Sequence, residues 1–361
     1  MKVGILTYHR SNNYGALLQG ITLRYVLQEM GHDAYFIDYW PNYHYEMYAL
    51  FPPKLIIRNT LHLHARYLWH LVRDCSRRWK RIKHFRKFIL ENIRPYMAKY
   101  SKKEEFDVII YGSDQIWKKQ GGLGGKFNPV YFGENILTTK SHVSYAASMG
   151  IIDLSDEDKS FLKSSLSKFS KISVRESSLS DAIVSLGLKS EVVLDPTLLL
   201  NSHQWDDLLS TGERPIKEKY VLFYQILGKS FDEEKIKAFA AERGLRYVKL
   251  VGGVSKYQAG VLDTESPETF VSLVKHAEFV FTSSFHGLAF SIIYNKQFFA
   301  SYSANAGRAE SLLNSLCLSN RLLEPMSALP SDVERINYED ANTRMASLRK
   351  SSIDFLKNIK S

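Results

Sequence analysis

Apolar and polar positions along this chain recur in two modes. One is a short run of consecutive apolar residues, the signature of a strand buried on both faces. The other is a longer stretch with apolar residues three and four apart, the signature of an amphipathic helix. Lys2 to Thr7, Ala34 to Asp38, Phe106 to Tyr111, Ser141 to Ala146, Ile172 to Val174 and Val192 to Leu194 are predicted strands. Asn13 to Met30 is a predicted helix, with Leu17, Ile21, Val26 and Leu27 on one stripe and Gly31 as its stop. Asp156 to Ser167 is a second helix, Pro41 to Pro53 a tyrosine-rich loop, and Leu55 to about Glu91 one or two helices. After a break at Ser210 to Lys219 the alternation restarts. Strands are predicted at Tyr220 to Ile226, Arg246 to Val251, Phe279 to Phe281 and Gln297 to Ala300. Helices are predicted at Asp232 to Arg243, Pro267 to His276, around His286, at Glu310 to Leu316 and at Glu339 to Ile359.

Repeated strand-helix-strand alternation in two blocks predicts an α/β fold with parallel sheets, as two Rossmann-like domains facing across a cleft. The expected boundaries are 1–200, with a basic helical insertion at 54–103, then 201–335, then a C-terminal helix at 336–361. The 361 residues suit two domains of ordinary size.

Two cysteines, Cys75 and Cys317, stand far apart and outside any Cys-x-x-Cys pair. That argues against a disulfide framework or a thiolate zinc site and fits a reducing compartment. His62 and His64 read as surface residues, and no metal or cofactor is expected. The apolar start, Met1 to Thr7, is too short for a secretory signal, and no window reaches the roughly 18 to 20 apolar residues of a membrane span. The expected location is the cytoplasm.

The formal charge of +10 is unevenly placed. Residues 54–103 carry 15 Lys or Arg against Asp74 and Glu91, so the rest of the chain is net negative. Tyr67, Trp69, Trp79 and Phe85 interleave with these cations. Three readings compete: a solvated helical face, a helix lying on an anionic membrane surface, and a nucleic-acid contact. No recognised nucleic-acid module accompanies the segment, so no nucleic-acid partner is expected.

Six polar clusters fall at predicted strand ends, where ligands of parallel sheets bind: His9 to Tyr14, Gly112 to Trp117, Ser148 to Gly150, Arg175-Glu176, Asp195 to Thr197 and Ser283 to Gly287. The last is the most telling. A strand turns through Thr282, Ser283 and Ser284 into a helix whose first turn carries His286. Free N–H groups at such a helix start attract anions. A buried core histidine is the competing reading of His286. Neither the dinucleotide nor the P-loop glycine fingerprint is present, and Gly121 to Gly125 reads as a mobile loop.

Asn12-Asn-Tyr-Gly-Ala16 with Gln19, Tyr111-Gly-Ser-Asp-Gln-Ile-Trp117, Ser144-Tyr-Ala-Ala-Ser148, Val174-Arg-Glu176, Leu194-Asp-Pro-Thr197 and Thr282-Ser-Ser-Phe-His-Gly287 together resemble the polysaccharide pyruvyl transferase family, in order from about residue 1 to 325. The resemblance implies a fold like the GT-B glycosyltransferases. It also implies transfer of a pyruvyl group from phosphoenolpyruvate to a sugar, forming a ketal, with the donor in the C-terminal half. Where relatives often carry Ser-Arg-Leu-His-Gly, this chain has Ser283-Ser284-Phe285-His286-Gly287. Another cation must then meet the donor, and Arg175 and Arg308 are the candidates.

On this reading His286 protonates the donor, and Ser283, Ser284 and Gly287 cradle its phosphate with Arg175 or Arg308. Asp114 orients or deprotonates an acceptor hydroxyl, with a helix cap as its competing role. Trp117 stacks on the sugar, and Asn12, Asn13 and Gln115 hydrogen-bond it. Glu176 is open between chemistry and an ion pair, and Asp195 is expected to shape an interdomain turn. The acceptor would be a free or lipid-linked sugar, with residues 54–103 bringing the enzyme to the inner membrane face. Two alternatives stand beside this reading. One is a glycosyltransferase using a nucleotide sugar, with Glu310 as its ribose carboxylate. The other is a non-catalytic, membrane-docked component of polysaccharide assembly.

Overall fold

Among the described residues, twelve parallel strands in two sheets set the positions of everything else. The computed structural model describes residues 1–44, 65–211, 213–226, 228–254, 258–330 and 334–359, with side chains of the helix beginning at Ala65 described from residue 74. His62, His64, most of the tyrosine-rich loop and the start of the basic segment lie outside the described residues.

The first sheet comprises β1 (Lys2–Leu6), β2 (Asp33–Ile37), β3 (Met97–Ala98), β4 (Glu105–Tyr111), β5 (Thr138–Ala147), β6 (Lys171–Val174) and β7 (Glu191–Val192). Their spatial order is β3-β2-β1-β4-β5-β6-β7, every neighbour parallel. The second comprises β8 (Tyr220–Gln225), β9 (Arg246–Val251), β10 (Val261–Leu262), β11 (Phe279–Thr282) and β12 (Gln297–Ala300), ordered β10-β9-β8-β11-β12 and again parallel. Strand order reverses between β1 and β4 and between β8 and β11. Those are the two points where a ligand crevice opens beyond the strand ends.

Strand β4 shows why the apolar runs are continuous. Val108 and Ile110 enter one core while Phe106, Ile109 and Tyr111 enter another, so both faces are covered. The core holding Val108 also holds Val280 of β11, Tyr224 of β8 and most of α8 (Phe285–Ile293), and so runs from one domain into the other. Every residue of α8 is buried, as its all-round apolar sequence requires.

Helix α1 (Tyr14–Glu29) starts at Asn13, whose side chain accepts the Ala16 N–H, and stops before Gly31 at φ +80°. The basic segment forms α2 (Ala65–Asn92). Helices α3 (Asp156–Leu166), α4 (Ser177–Ser185), α5 (Ser202–Leu209), α6 (Glu233–Glu242), α7 (Pro267–His276), α9 (Gly307–Ser315) and α10 (Tyr338–Lys357) complete the layers. The sequence pattern does not reveal α4, because its serines hide the Leu179/Ile183 pair that anchors it. Of the strand expected at Val192–Leu194 only Val192 belongs to β7, which it forms with Glu191, and Asp195 soon after caps a short turn over Pro196–Leu199.

The basic helix carries cations in two directions. Arg81 is buried and donates four hydrogen bonds: to Tyr14 Oη (2.9 Å), Asn12 O (3.0 Å), Asp263 O (3.0 Å) and Gly252 O (2.9 Å). The first two acceptors belong to the N-terminal domain and the last two to the C-terminal one. Arg77 pairs with Asp263, and His84 Nδ1 lies 2.7 Å from Thr264 O. These three cannot be part of a solvated or lipid-facing surface; they hold the domains together. C-terminal helix α10 returns to the N-terminal domain, where Arg349 Nε donates to Leu198 O (2.9 Å) and Ser352 Oγ accepts the Leu194 N–H (2.9 Å).

Candidate functional site

The strand ends of β4, β5 and β6 meet α8 and α9 at the interdomain seam. Asp195 lies at their centre, fully buried. Its Oδ1 accepts from Thr197 N (2.9 Å) and Thr197 Oγ1 (2.7 Å). Its Oδ2 accepts from Ser113 Oγ (3.3 Å) and Arg175 Nη1, and lies 3.7 Å from His286 Nε2. Burial alone would raise the Asp195 pKa. The Arg175 charge, His286 and the Thr197 hydroxyl outweigh it and hold this carboxyl well below the ordinary carboxylate range.

Arg175, just beyond β6, is buried and extends past Asp195 toward Asp114, with Nη2 3.7 Å from Asp114 Oδ1. Its Nε and Nη2 have no hydrogen-bond partner among the described residues. Phe285 lies between two guanidiniums, its ring centroid 5.1 Å from Arg175 Cζ and 5.4 Å from Arg308 Cζ. Arg308 Nε and the Tyr302 hydroxyl are likewise buried and unpartnered among the described residues. Burial, then the charge of Arg175, lowers the Arg308 pKa; Glu176 and Asp114 offset this only in part. Two close cations with spare donors form a receptor for a small oxyanion.

His286 occupies the first turn of α8, 7% exposed. Its ring packs on Gly15, at the start of α1 in the opposite domain. A Cβ at Gly15 would fall 1.8 Å from His286 Nδ1, so only glycine fits there. The Asn-Asn-Tyr-Gly stretch and the His-Gly stretch are thus two sides of one contact.

On the other side of Asp114 lies an aromatic cluster. His44 meets Tyr8, Tyr43 and Trp40 with ring centroids 4.4, 4.6 and 4.9 Å away. Burial pushes the His44 pKa down to about 4, with Asp114 opposing the shift. Gln115 is half-buried against Gly150 and its carbonyl accepts the Tyr8 hydroxyl (3.1 Å).

The polysaccharide pyruvyl transferase model matches residues 13–305, most of the chain, including Asp114, Arg175, Asp195 and His286 but not Tyr8 or Arg308 of α9. The chain belongs to that family. No match is found among curated proteins. Solved structures similar in overall fold include UDP-GlcNAc 2-epimerase of Methanocaldococcus jannaschii (11% identity, TM-score 0.45, covering 100% of this chain and 94% of that one). UDP-GlcNAc 2-epimerase of Neisseria meningitidis is similar too (8%, 0.42, 100% and 95%), as is the spinosyn forosaminyltransferase SpnP (15%, 0.37, 98% and 95%).

Within this pyruvyl transferase family member, His286, Asp114, Arg175 and Arg308 converge, while other expected site residues are spent elsewhere. Trp117 is fully buried: its Nε1–H donates to Tyr131 O (2.9 Å) and its ring stacks on Phe132, so no face remains for a sugar. Ser283 Oγ accepts the Ile226 N–H (3.0 Å), and Ser284 Oγ caps α8 by accepting the Gly287 N–H (3.3 Å). Gly287 itself is a packing requirement, since a Cβ there would stand 2.2 Å from Thr282 Oγ1. Beside these three residues, Arg175 Nε, Arg175 Nη2 and Arg308 Nε are buried N–H donors without a partner among the described residues. Asn13 is an exposed cap and Asn12 gives its carbonyl to Arg81. Glu310 is exposed. Glu176 Oε1 accepts from Ser148 Oγ (2.5 Å) and Gly150 N (3.3 Å), which ties the β5 and β6 ends together.

Sequence reasoning gave Asp195 a turn-shaping role and did not single out Phe285, Tyr302, Gly15 or His44. Asp195, Phe285 and Gly15 sit inside the quoted motifs, and the tyrosine-rich stretch after β2 signalled the aromatic cluster without its position.

Proposed function

We propose that this transferase moves a pyruvyl group from phosphoenolpyruvate to a sugar of a cell-surface polysaccharide or its lipid-linked precursor, forming a ketal. The observation that carries this reading is the pair of buried guanidiniums with spare donors on either side of Phe285, next to His286. A donor with a carboxylate and a phosphate supplies the anionic groups this receptor lacks. The family match supports the pyruvyl group as the unit transferred.

In this scheme His286 delivers a proton to the terminal carbon of the donor's enol, and positive charge develops at the adjacent carbon. A sugar hydroxyl oxygen bonds to that carbon and loses its proton toward Asp114. A second hydroxyl of the same sugar then displaces phosphate there and closes the ketal, its proton passing to His286 to replace the one given to the donor, while the proton held by Asp114 leaves with the phosphate and the arginine pair stabilises the departing anion. Asp195 supplies the fixed counter-charge beside the imidazole and the Arg175 fork. The half-buried aromatic residues around Asp114 flank the acceptor.

The experiment is a ligand titration followed by thermal unfolding. Phosphoenolpyruvate at a hundred times its dissociation constant should add about 2.7 kcal/mol of stability. His286→Ala should abolish turnover, and Arg308→Ala should abolish the stabilisation. Stabilisation by nucleotide sugars alone would overturn the donor assignment.

A further inference from the structure

The outward face of α2 is not used by the site. Its residues from 74 onward divide sharply around the helix axis. Arg77, Arg81, His84, Phe85 and Phe88 point into the protein. Trp79, Lys80, Lys83, Arg86, Lys87 and Leu90 point out, all exposed. At 100° per residue these six fall within an arc of about 120° and extend along about 16 Å of helix. Trp79 is 57% and Leu90 40% exposed. These two apolar residues flank the cations at either end, and Lys83 Nζ lies 5.4 Å from the Trp79 ring. Of the two acids in α2 from residue 74 onward, Asp74 pairs with inward-facing Arg77, and Glu91 reaches Lys87 at 3.9 Å, an exposed pair too weak to neutralise the face.

We propose that this stripe docks the enzyme on a bilayer surface rich in anionic phospholipid. Charge complementarity chooses the partner class: four cations on one face of one helix, in a chain that is net negative outside residues 54–103, meet a surface of uniform negative charge. Trp79 and Leu90 favour a bilayer over a nucleic acid, because an exposed indole and an aliphatic side chain at the same level as the cations fit the headgroup boundary. No helix among the described residues is long and apolar enough to cross a membrane, so the association is peripheral. The same helix carries Arg81 on its inner side, so a surface-bound α2 holds the interdomain seam at the level of the membrane.

The test uses the full chain and needs neither donor nor acceptor. Binding is measured by flotation with vesicles of phosphatidylglycerol and phosphatidylcholine, and with pure phosphatidylcholine, at 50 mM and 500 mM salt. The expected result is binding to the anionic vesicles alone, lost at high salt, and at least tenfold weaker in Lys80→Glu/Lys83→Glu/Arg86→Glu/Lys87→Glu. Trp79→Ser/Leu90→Ser should weaken binding severalfold without altering its salt dependence. Both variants should keep the wild-type melting temperature and donor titration, since every substituted side chain is exposed. Equal binding to both vesicle types, no binding at 50 mM salt, or no effect of the charge reversal would overturn the proposal. Displacement from the anionic vesicles by duplex DNA at equal charge concentration would overturn it in favour of a nucleic-acid partner.

Discussion

The His286 imidazole stands where a side chain at Gly15 would be. Added there, a Cβ would lie 1.8 Å from Nδ1 and 2.2 Å from Cε1. Two halves of the molecule therefore share one volume, and the ring's position is set from the opposite domain. Gly15→Ala should cost about 1–3 kcal/mol by overpacking. Turnover should fall at least tenfold, because the ring must leave the position in which its Nε2 lies 3.7 Å from Asp195. Urea unfolding and a phosphate-release assay on the same preparation measure both.

Asp195→Asn removes the negative charge that Arg175 and His286 face while keeping the shape. Breaking a buried pair in this way costs about 3–5 kcal/mol. A carboxyl held below its ordinary pKa contributes stability that is present above about pH 4 and lost as pH falls through the folded value. Wild-type protein should therefore lose stability below pH 4 more steeply than Asp195→Asn does. Denaturant melts from pH 7 down to pH 3 measure the difference, and parallel curves would exclude this role for Asp195.

Arg308 carries a charge that its surroundings disfavour: burial, then the neighbouring charge of Arg175, lowers its pKa. Arg308→Met should leave the free protein as stable or more stable by about 1 kcal/mol, as buried charges replaced by apolar groups often do. It should also abolish the stabilisation expected from the proposed donor, phosphoenolpyruvate. A variant destabilised without ligand would show that Arg308 acts as scaffold.

His44 provides a pH signature near neutrality. Its folded pKa is pushed down to about 4, against about 6.5 in an unfolded chain. The unfolded state therefore takes up the proton first, and stability falls as pH drops from about 6.5 toward 4, by up to about 3 kcal/mol. His44→Gln should flatten that part of the stability curve.

Trp117→Phe tests the buried indole. Loss of the bond to Tyr131 O and of the stack on Phe132 should cost about 1–3 kcal/mol. The KM for the acceptor should stay within twofold. A large rise in KM at unchanged stability would return Trp117 to the sugar site.

The strand ends were legible because apolar runs such as Phe106–Tyr111 stop abruptly at polar residues, and parallel sheets put such ends on one crevice. Asp195 was not, since its importance comes from Ser113, Arg175 and His286, which belong to three other segments. A carboxylate before proline reads locally as a turn. Trp117 misled for the converse reason: an indole beside Asp114 and Gln115 reads as a sugar platform, and only tertiary packing on Tyr131 and Phe132 withdraws it. A charge count of the basic segment cannot separate Arg81 from Lys83. The difference lies in the carbonyls of Asn12, Asp263 and Gly252, which meet one and not the other.

The return of α10 has a mechanical consequence. The chain crosses between the halves twice, once after the Pro196–Leu199 turn and again at Tyr338, whose hydroxyl donates to Lys296 O (2.5 Å) before the helix reaches Leu194 and Leu198. The halves are therefore tethered at two places in the chain, and Arg81 adds a third tie without covalent continuity: its bonds to Tyr14 and Asn12 on one side and Asp263 and Gly252 on the other must break before those segments can part.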